Sequence, residues 1–167
     1  MSQSVEEEFT EFVAGRGPAL LRAAYALAGD EHGAHDLLQT ALAKAFSRWR
    51  QIHAGPEQYV RRIMYNAHIS VWRKVRRREV TVAAVPDRAF DGEGDGSTVL
   101  RLTLREALQA LPPKQRAIIV LRFLEDVSIE ETARIVGCRV GTVGSQTSRA
   151  LAKLRSLVHE IDREVAR

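Results

Sequence analysis

The chain has 167 residues, with 25 Lys plus Arg against 21 Asp plus Glu and a formal charge of +4, and its pI is near 9.6. At 45% hydrophobic and 28% charged it has the composition of one globular domain or two small ones, and an aromatic content of 6% argues against a β-sandwich. The single cysteine, Cys138, excludes an internal disulfide, no apolar run reaches the ~20 residues of a membrane span, and the acidic start Val5-Glu6-Glu7-Glu8 is unlike a signal peptide. A mostly helical, cytoplasmic protein without membrane insertion is the expectation.

Phe9 to Ala28 reads as helix interrupted at Gly15-Arg16-Gly17-Pro18, with Pro18 in the first turn of a second segment carrying Leu20, Leu21, Ala24 and Leu27. Gly29-Asp30 stops it, and Asp30 can cap the next helix. From Glu31 to Trp49 the residues Leu37, Leu38, Ala41, Leu42, Ala45, Phe46 and Trp49 recur along one stripe of an α-helix, which assigns Phe46 and Trp49 to a core. His32, His35 and Asp36 share helical spacing, but nothing completes a metal site and they read as exposed helix. After His53-Ala54-Gly55, Pro56 opens a helix to about Arg78. Its core stripe is Tyr59, Val60, Ile63, Ala67 and Val71, with basic residues on the far side.

Val82 to Thr98 has no usable period and holds Pro86, Gly92, Gly94 and Gly96 among acids, the composition of a linker. Beyond it Leu100, Leu104, Ala107, Leu108 and Leu111 make a helix ended by Pro112-Pro113. Pro113 starts the next, in which Ile118, Leu121 and Leu124 should be buried. Ser128 and Glu131 have capping-box spacing. A short helix then runs to Val136, Gly137 permits a left-handed turn, and a last helix runs from about Gly141-Thr142 to Val158.

Ser128 to Leu157 is the strongest local signal. A short helix with the small Ala133, a turn at Gly137-Cys138-Arg139-Val140 and an inward Val143 are what a helix-turn-helix requires. With Val143, Ala150, Leu154 and Leu157 facing the core, the other face carries Thr142, Ser145, Ser148 and Arg149, flanked by Gln146 and Lys153. Small polar residues allow close approach to a major groove, Arg149 can reach guanine, and Arg139, Gln146 and Lys153 suit phosphates. Charge points the same way. Arg61, Arg62, Arg73, Lys74, Arg76, Arg77 and Arg78 form one acid-free block, and Arg134, Arg139, Arg149, Lys153 and Arg155 form another.

Leu111-Pro112-Pro113-Lys114-Gln115-Arg116, followed by this helix-turn-helix and Gly141-Thr142-Val143, closely resembles region 4 of bacterial sigma factors. Asp36-Leu37-Leu38-Gln39 and the helix with Arg62-Ile63 and Asn66 resemble their region 2. Two such regions joined by a short linker are similar to the compact extracytoplasmic-function (ECF) group of the sigma-70 family. The resemblance implies an all-α chain: a region 2 bundle at 5–80, a flexible acidic linker at 81–98, a region 4 bundle at 99–158 and a tail at 159–167. It implies a transcription initiation factor rather than an enzyme, with no cofactor, no metal and no catalytic residue.

By the same resemblance, region 4 would read the −35 element as duplex through Arg139, Thr142, Gly144, Ser145, Gln146, Ser148, Arg149 and Lys153. Region 2 would hold the melted −10 strand through Arg61, Arg62, Tyr65, Asn66, Trp72, Arg73, Lys74 and Arg76, where cations meet the backbone and aromatic or amide groups meet bases. Asp36, Gln39 and Thr40 would meet the β′ clamp helices of core RNA polymerase, region 4 would meet the β flap, and an anti-sigma factor is a further implied partner. Gly144 replaces the family's usual Lys or Arg and Thr40 its usual Glu. The alternative is a stand-alone helix-turn-helix regulator, which would need neither the Asp36–Gln39 surface nor the basic helix with Asn66.

Overall fold

A computed structural model describes residues 4–53, 55–78 and 96–167, which form α-helices and their connecting turns with no strand among them. The linker expected at 81–98 lies outside the described residues as far as 95. The side chains of Trp72 and Arg76 lie outside them too.

Helix α1 spans Val5–Ala28. Ser4 caps it: its hydroxyl accepts from the Glu7 N–H at 3.2 Å, and the Glu7 carboxylate accepts from the Ser4 N–H at 3.0 Å. The break expected at Gly15–Pro18 does not occur, and the helix runs through Pro18. Ala14 and Pro18 lie on the exposed face, so water can reach the Ala14 carbonyl that proline leaves unpaired. Phe9 and Phe12 meanwhile anchor the N-terminal turns by ring contacts: Phe9 meets Phe46 and Trp49 edge-on at 4.9 and 5.0 Å between ring centroids, and Phe12 meets Trp49 in a tilted arrangement. Gly29 ends α1 at a φ of 83°, donating to the Tyr25 carbonyl.

Helix α2 is Glu31–Ser47, capped as expected by Asp30, whose carboxylate accepts from the Gly33 N–H at 2.6 Å. Leu37, Leu38, Ala41 and Ala45 are buried, as is Trp49 in the 3₁₀ turn Trp49–Gln51. Phe46 sits at the edge of that stripe, 41% exposed and covered on one side by Phe9.

Helix α3 runs Pro56–Arg78. It buries Val60, Met64, Tyr65 and Ile69, a wider band than the expected stripe. The extra width arises because α3 is covered twice, by α2 on one side and by helices of the second half on the other.

The second half comprises α4 (Gly96–Gln109), α5 (Pro113–Ile119), α6 (Ile129–Val136) and α7 (Val140–Val165). Within α4, Ala107 and Leu108 are buried while Leu104 is largely exposed. Pro113 occupies the first turn of α5, which continues as a π turn through Val120–Leu124. That turn closes with the Glu125 N–H on the Val120 carbonyl at 3.0 Å. Ile118 and Leu121 are buried, but Leu124, expected inside, is exposed. The extra residue in the π turn rotates the following side chains off the core face. Helix α7 extends past the expected end at Val158 to Val165.

The two halves close on one another. Leu20, Leu27 and Ala34 of the first belong to the same buried cluster as Ile118, Leu121, Ile135 and Val143 of the second. Arg116 is bolted across this junction, 7% exposed. Its Nη1 donates to the Leu27 carbonyl of α1 at 2.7 Å and its Nε to the Leu108 carbonyl at 2.8 Å. Its Nη2 donates to the carbonyls of Gln109 and Leu111, both at 3.0 Å. The oxygens of Leu27, Leu108 and Gln109 lie in the last turns of α1 and α4 and that of Leu111 just beyond α4, so a buried cation meets the negative ends of two helices. Gln109 adds a bond from its side-chain amide to the Ala26 carbonyl at 3.2 Å.

Candidate nucleic-acid interface

The helix-turn-helix is formed by α6 and α7. The Ser128 hydroxyl accepts from the Glu131 N–H at 3.1 Å, giving one half of the expected capping box. The Glu131 carboxylate turns instead to Arg134, 3.2 Å away. Ala133 is buried at the crossing, where a larger side chain would hold the helices apart. Gly137 takes a φ of 72°, and the Ala133 carbonyl accepts both the Gly137 and the Cys138 N–H groups. That left-handed residue turns the chain within three positions, so α7 can start at Val140.

Val143, Ala150 and Leu154 pin α7 to the core. Its outer face presents Gly144, Ser145, Ser148 and Arg149 to solvent, with Arg139 and Lys153 exposed at the flanks and Thr142 and Gln146 half-buried. The Ser145 hydroxyl donates to the Thr142 carbonyl at 3.1 Å, and the Gln146 side-chain oxygen accepts from the Gln115 amide at 3.0 Å. A Cβ at Gly144 would meet nothing within 4 Å. The face is shallow, open and cationic.

On α3 the expected residues separate into two groups. Arg62, Asn66, Arg73 and Lys74 are exposed. Arg61 and Tyr65 face the second half of the chain. The Arg61 Nε donates to Glu125 Oε2 at 3.1 Å, and the Tyr65 hydroxyl donates to the same oxygen at 2.5 Å. Arg61 also donates to Glu57 at 3.0 Å, and Glu57 pairs with Arg16 at 3.3 Å. Burial, then the adjacent Glu125 carboxylate, push the Tyr65 phenol well above its ordinary value. Glu125 escapes sequence reasoning because it lies sixty positions from Tyr65 and matches no local pattern. His68, one turn further along α3, is pushed down to about 4 by burial and then by the nearby Arg116 cation. Its Nε2 has no hydrogen-bond partner.

On α2, Asp36, Gln39 and Thr40 are exposed at adjacent turns, forming a third patch. Asp36 lies 3.3 Å from the His32 Nε2. Among the described residues no group of His, Cys, Asp and Glu is arranged to hold a metal ion, and no helix is long and apolar enough to cross a membrane.

Comparison with known proteins matches residues 12–78 to the Sigma-70 region 2 family and residues 101–154 to the Sigma-70, region 4 family. The chain is similar to the RNA polymerase sigma-E factor of Streptomyces coelicolor, 42% identical over 150 residues that cover 89% of this chain and 84% of that one. It is 30% identical over 173 residues to the ECF RNA polymerase sigma factor SigE of Mycolicibacterium smegmatis, covering 98% of this chain and 66% of that one. Among solved structures, the sigma factor RpoE in complex with the anti-sigma factor NepR from Bartonella quintana aligns with a TM-score of 0.72 at 28% identity, over 92% of this chain and 98% of that one. CnrH in complex with the cytosolic domain of CnrY shares the fold at a TM-score of 0.66 and 24% identity, over 93% and 90% of the two chains.

Proposed function

The chain belongs to the sigma-70 family as an extracytoplasmic-function RNA polymerase sigma factor, and from that premise we infer how its surfaces divide the work of transcription initiation. It is a transcription initiation factor, and members of this family act by binding core polymerase and promoter DNA. The outer face of α7 reads the −35 duplex: Gly144, Ser145 and Ser148 allow the backbone to approach the major groove, and Arg149 addresses a base edge. Arg139, Thr142, Gln146 and Lys153 hold phosphates. On α3, Arg62, Asn66, Arg73 and Lys74, together with Arg61, Tyr65, Trp72 and Arg76, take the melted −10 strand. Asp36, Gln39 and Thr40 dock on the polymerase clamp, and the second half docks on the β flap. The work is done in the cytoplasm, where the polymerase is.

One observation carries this reading: two separate exposed basic faces, on α3 and on α7, in one chain. A stand-alone helix-turn-helix regulator has use for the second alone. Because RpoE and CnrH were solved with anti-sigma factor or partner domains bound, an anti-sigma factor is the expected regulator here as well.

Run-off transcription with core RNA polymerase on genomic fragments is the test, and start sites that depend on the added chain are expected. Lys74→Glu should impair open-complex formation more than initial duplex binding. Arg149→Ala should weaken −35 binding by about 1–3 kcal/mol and relax base preference at one position. Equal loss of both steps in Lys74→Glu would refute the division of labour.

A further inference from the structure

Glu125 reaches from the second half onto the basic helix α3, where its carboxylate meets Arg61 and Tyr65. Its side chain is 8% exposed and that of Arg61 12%. Both donors, Arg61 Nε and the Tyr65 hydroxyl, converge on the one oxygen Oε2. A cationic donor and a neutral hydroxyl focused on a single anionic oxygen is the arrangement that receives a phosphate oxygen. We propose that Glu125 is an internal substitute for a DNA phosphate: it occupies the Arg61–Tyr65 site on α3, latches the two halves together, and must leave before that site can take the backbone of a melted strand. The proposal rests on the assignment of α3 to single-stranded DNA.

The backbone around Glu125 is shaped to deliver it. The π turn Val120–Leu124 adds one residue immediately before it, which displaces its side chain by about 100° from where a regular helix would put it. Asp126, immediately after, takes a φ of 52°, a left-handed conformation that a non-glycine residue adopts at an energetic cost. Irregular backbone on both sides of one carboxylate is accounted for if the carboxylate has to reach α3.

Size sets the consequence. A compact chain of this length has a radius of gyration of about 15 Å and is ~40 Å across, whereas about 25 base pairs at ~3.4 Å each separate the −35 and −10 elements by ~85 Å. The closed chain therefore cannot touch both elements. The conformation in which Glu125 sits on Arg61 is one in which two-element recognition is impossible, and the same contact blocks the strand-binding pair.

The experiment uses the full-length chain and a fluorescein-labelled dT20 single strand, with binding followed by fluorescence anisotropy at one fixed salt concentration. Glu125→Gln keeps the shape and removes the charge; Glu125→Asp keeps the charge and shortens the arm. Raising the open fraction tenfold tightens the apparent affinity about tenfold, so that shift is expected for Glu125→Gln, with a smaller shift in the same direction for Glu125→Asp. Glu130→Gln, the same charge change at an exposed position on α6, should change affinity less than twofold. Circular dichroism should confirm that the helices of both Glu125 variants are intact. Equal shifts for Glu125→Gln and Glu130→Gln, or none for either Glu125 variant, would overturn the latch. If Lys74→Glu weakens dT20 binding in that case, the assignment of α3 to single strands survives without it. If Lys74→Glu has no effect either, the assignment falls together with the latch.

Discussion

Replacing Arg116 tests the account of how the halves are joined. Its guanidinium donates to the carbonyls of Leu27, Leu108, Gln109 and Leu111 at 2.7 to 3.0 Å. Hydrogen bonds from a charged donor contribute about 1.5–3 kcal/mol each, so the set is worth ~6–12 kcal/mol before desolvation. Burial pushes the Arg116 side chain more than two units below its ordinary value, to about 10. At 1.36 kcal/mol per pKa unit, keeping the cation inside costs about 3 kcal/mol. The balance leaves ~3–9 kcal/mol, and Arg116→Ala, which also strands helix-end carbonyls in a dry junction, should destabilise by about 4 kcal/mol or more. Since whole domains are stable by only about 5–15 kcal/mol, that is a large fraction of the total. Arg116→Lys keeps the charge but loses the planar fork and should lie between, near 2 kcal/mol. Urea unfolding followed at 222 nm at pH 7 measures both. Because the bonds join α1 to the α4–α5 junction, the wild-type chain should unfold in one transition. A loss under ~1 kcal/mol for Arg116→Ala would refute the reasoning.

Three further outcomes are expected. His68 titrates near 4 in the folded chain against 6.5 when unfolded, so between those values the unfolded chain binds more protons. Its contribution is intact above pH 6.5 and is lost as pH falls toward 4, by up to about 3 kcal/mol. His68→Phe should lose less stability than wild type between pH 7 and pH 5 in urea titrations, and identical losses would count against it. The Thr132 hydroxyl is buried without a hydrogen-bond partner, so Thr132→Val should raise stability by about 1 kcal/mol and the midpoint by about 2–4 °C in a thermal melt; a lower midpoint would point to a bond that the structure lacks. At exposed, helical Gly144, Ala should stabilise by about 1 kcal/mol, and Lys should steepen the salt dependence of binding to a duplex by about one unit of log–log slope. An unchanged slope would mean that Gly144 does not face the phosphates.

Much of this protein is written locally. Gly29, Asp30, Pro56, Pro113 and Gly137 mark helix ends through φ preference, missing donors and side-chain caps, all of which act over a few residues. The stripe of α2 and the inward set Val143, Ala150 and Leu154 follow from the 3.6 period alone, and with them the exposure of Ser145, Ser148 and Arg149. The failures have a common origin. The continuity of α1 through Pro18 depends on the rings of Phe46 and Trp49 and on which face meets water. The outward turn of Leu124 depends on one extra residue in a helical turn. Most of all, Arg61 and Tyr65 carry the side chains of a strand-binding surface, yet their orientation is set by Glu125, sixty or more positions away. Periodicity tells which residues share a face, because that follows from backbone geometry. What a face meets depends on how helices close around it, and in this chain both sides of α3 are covered, the second by the other half of the molecule.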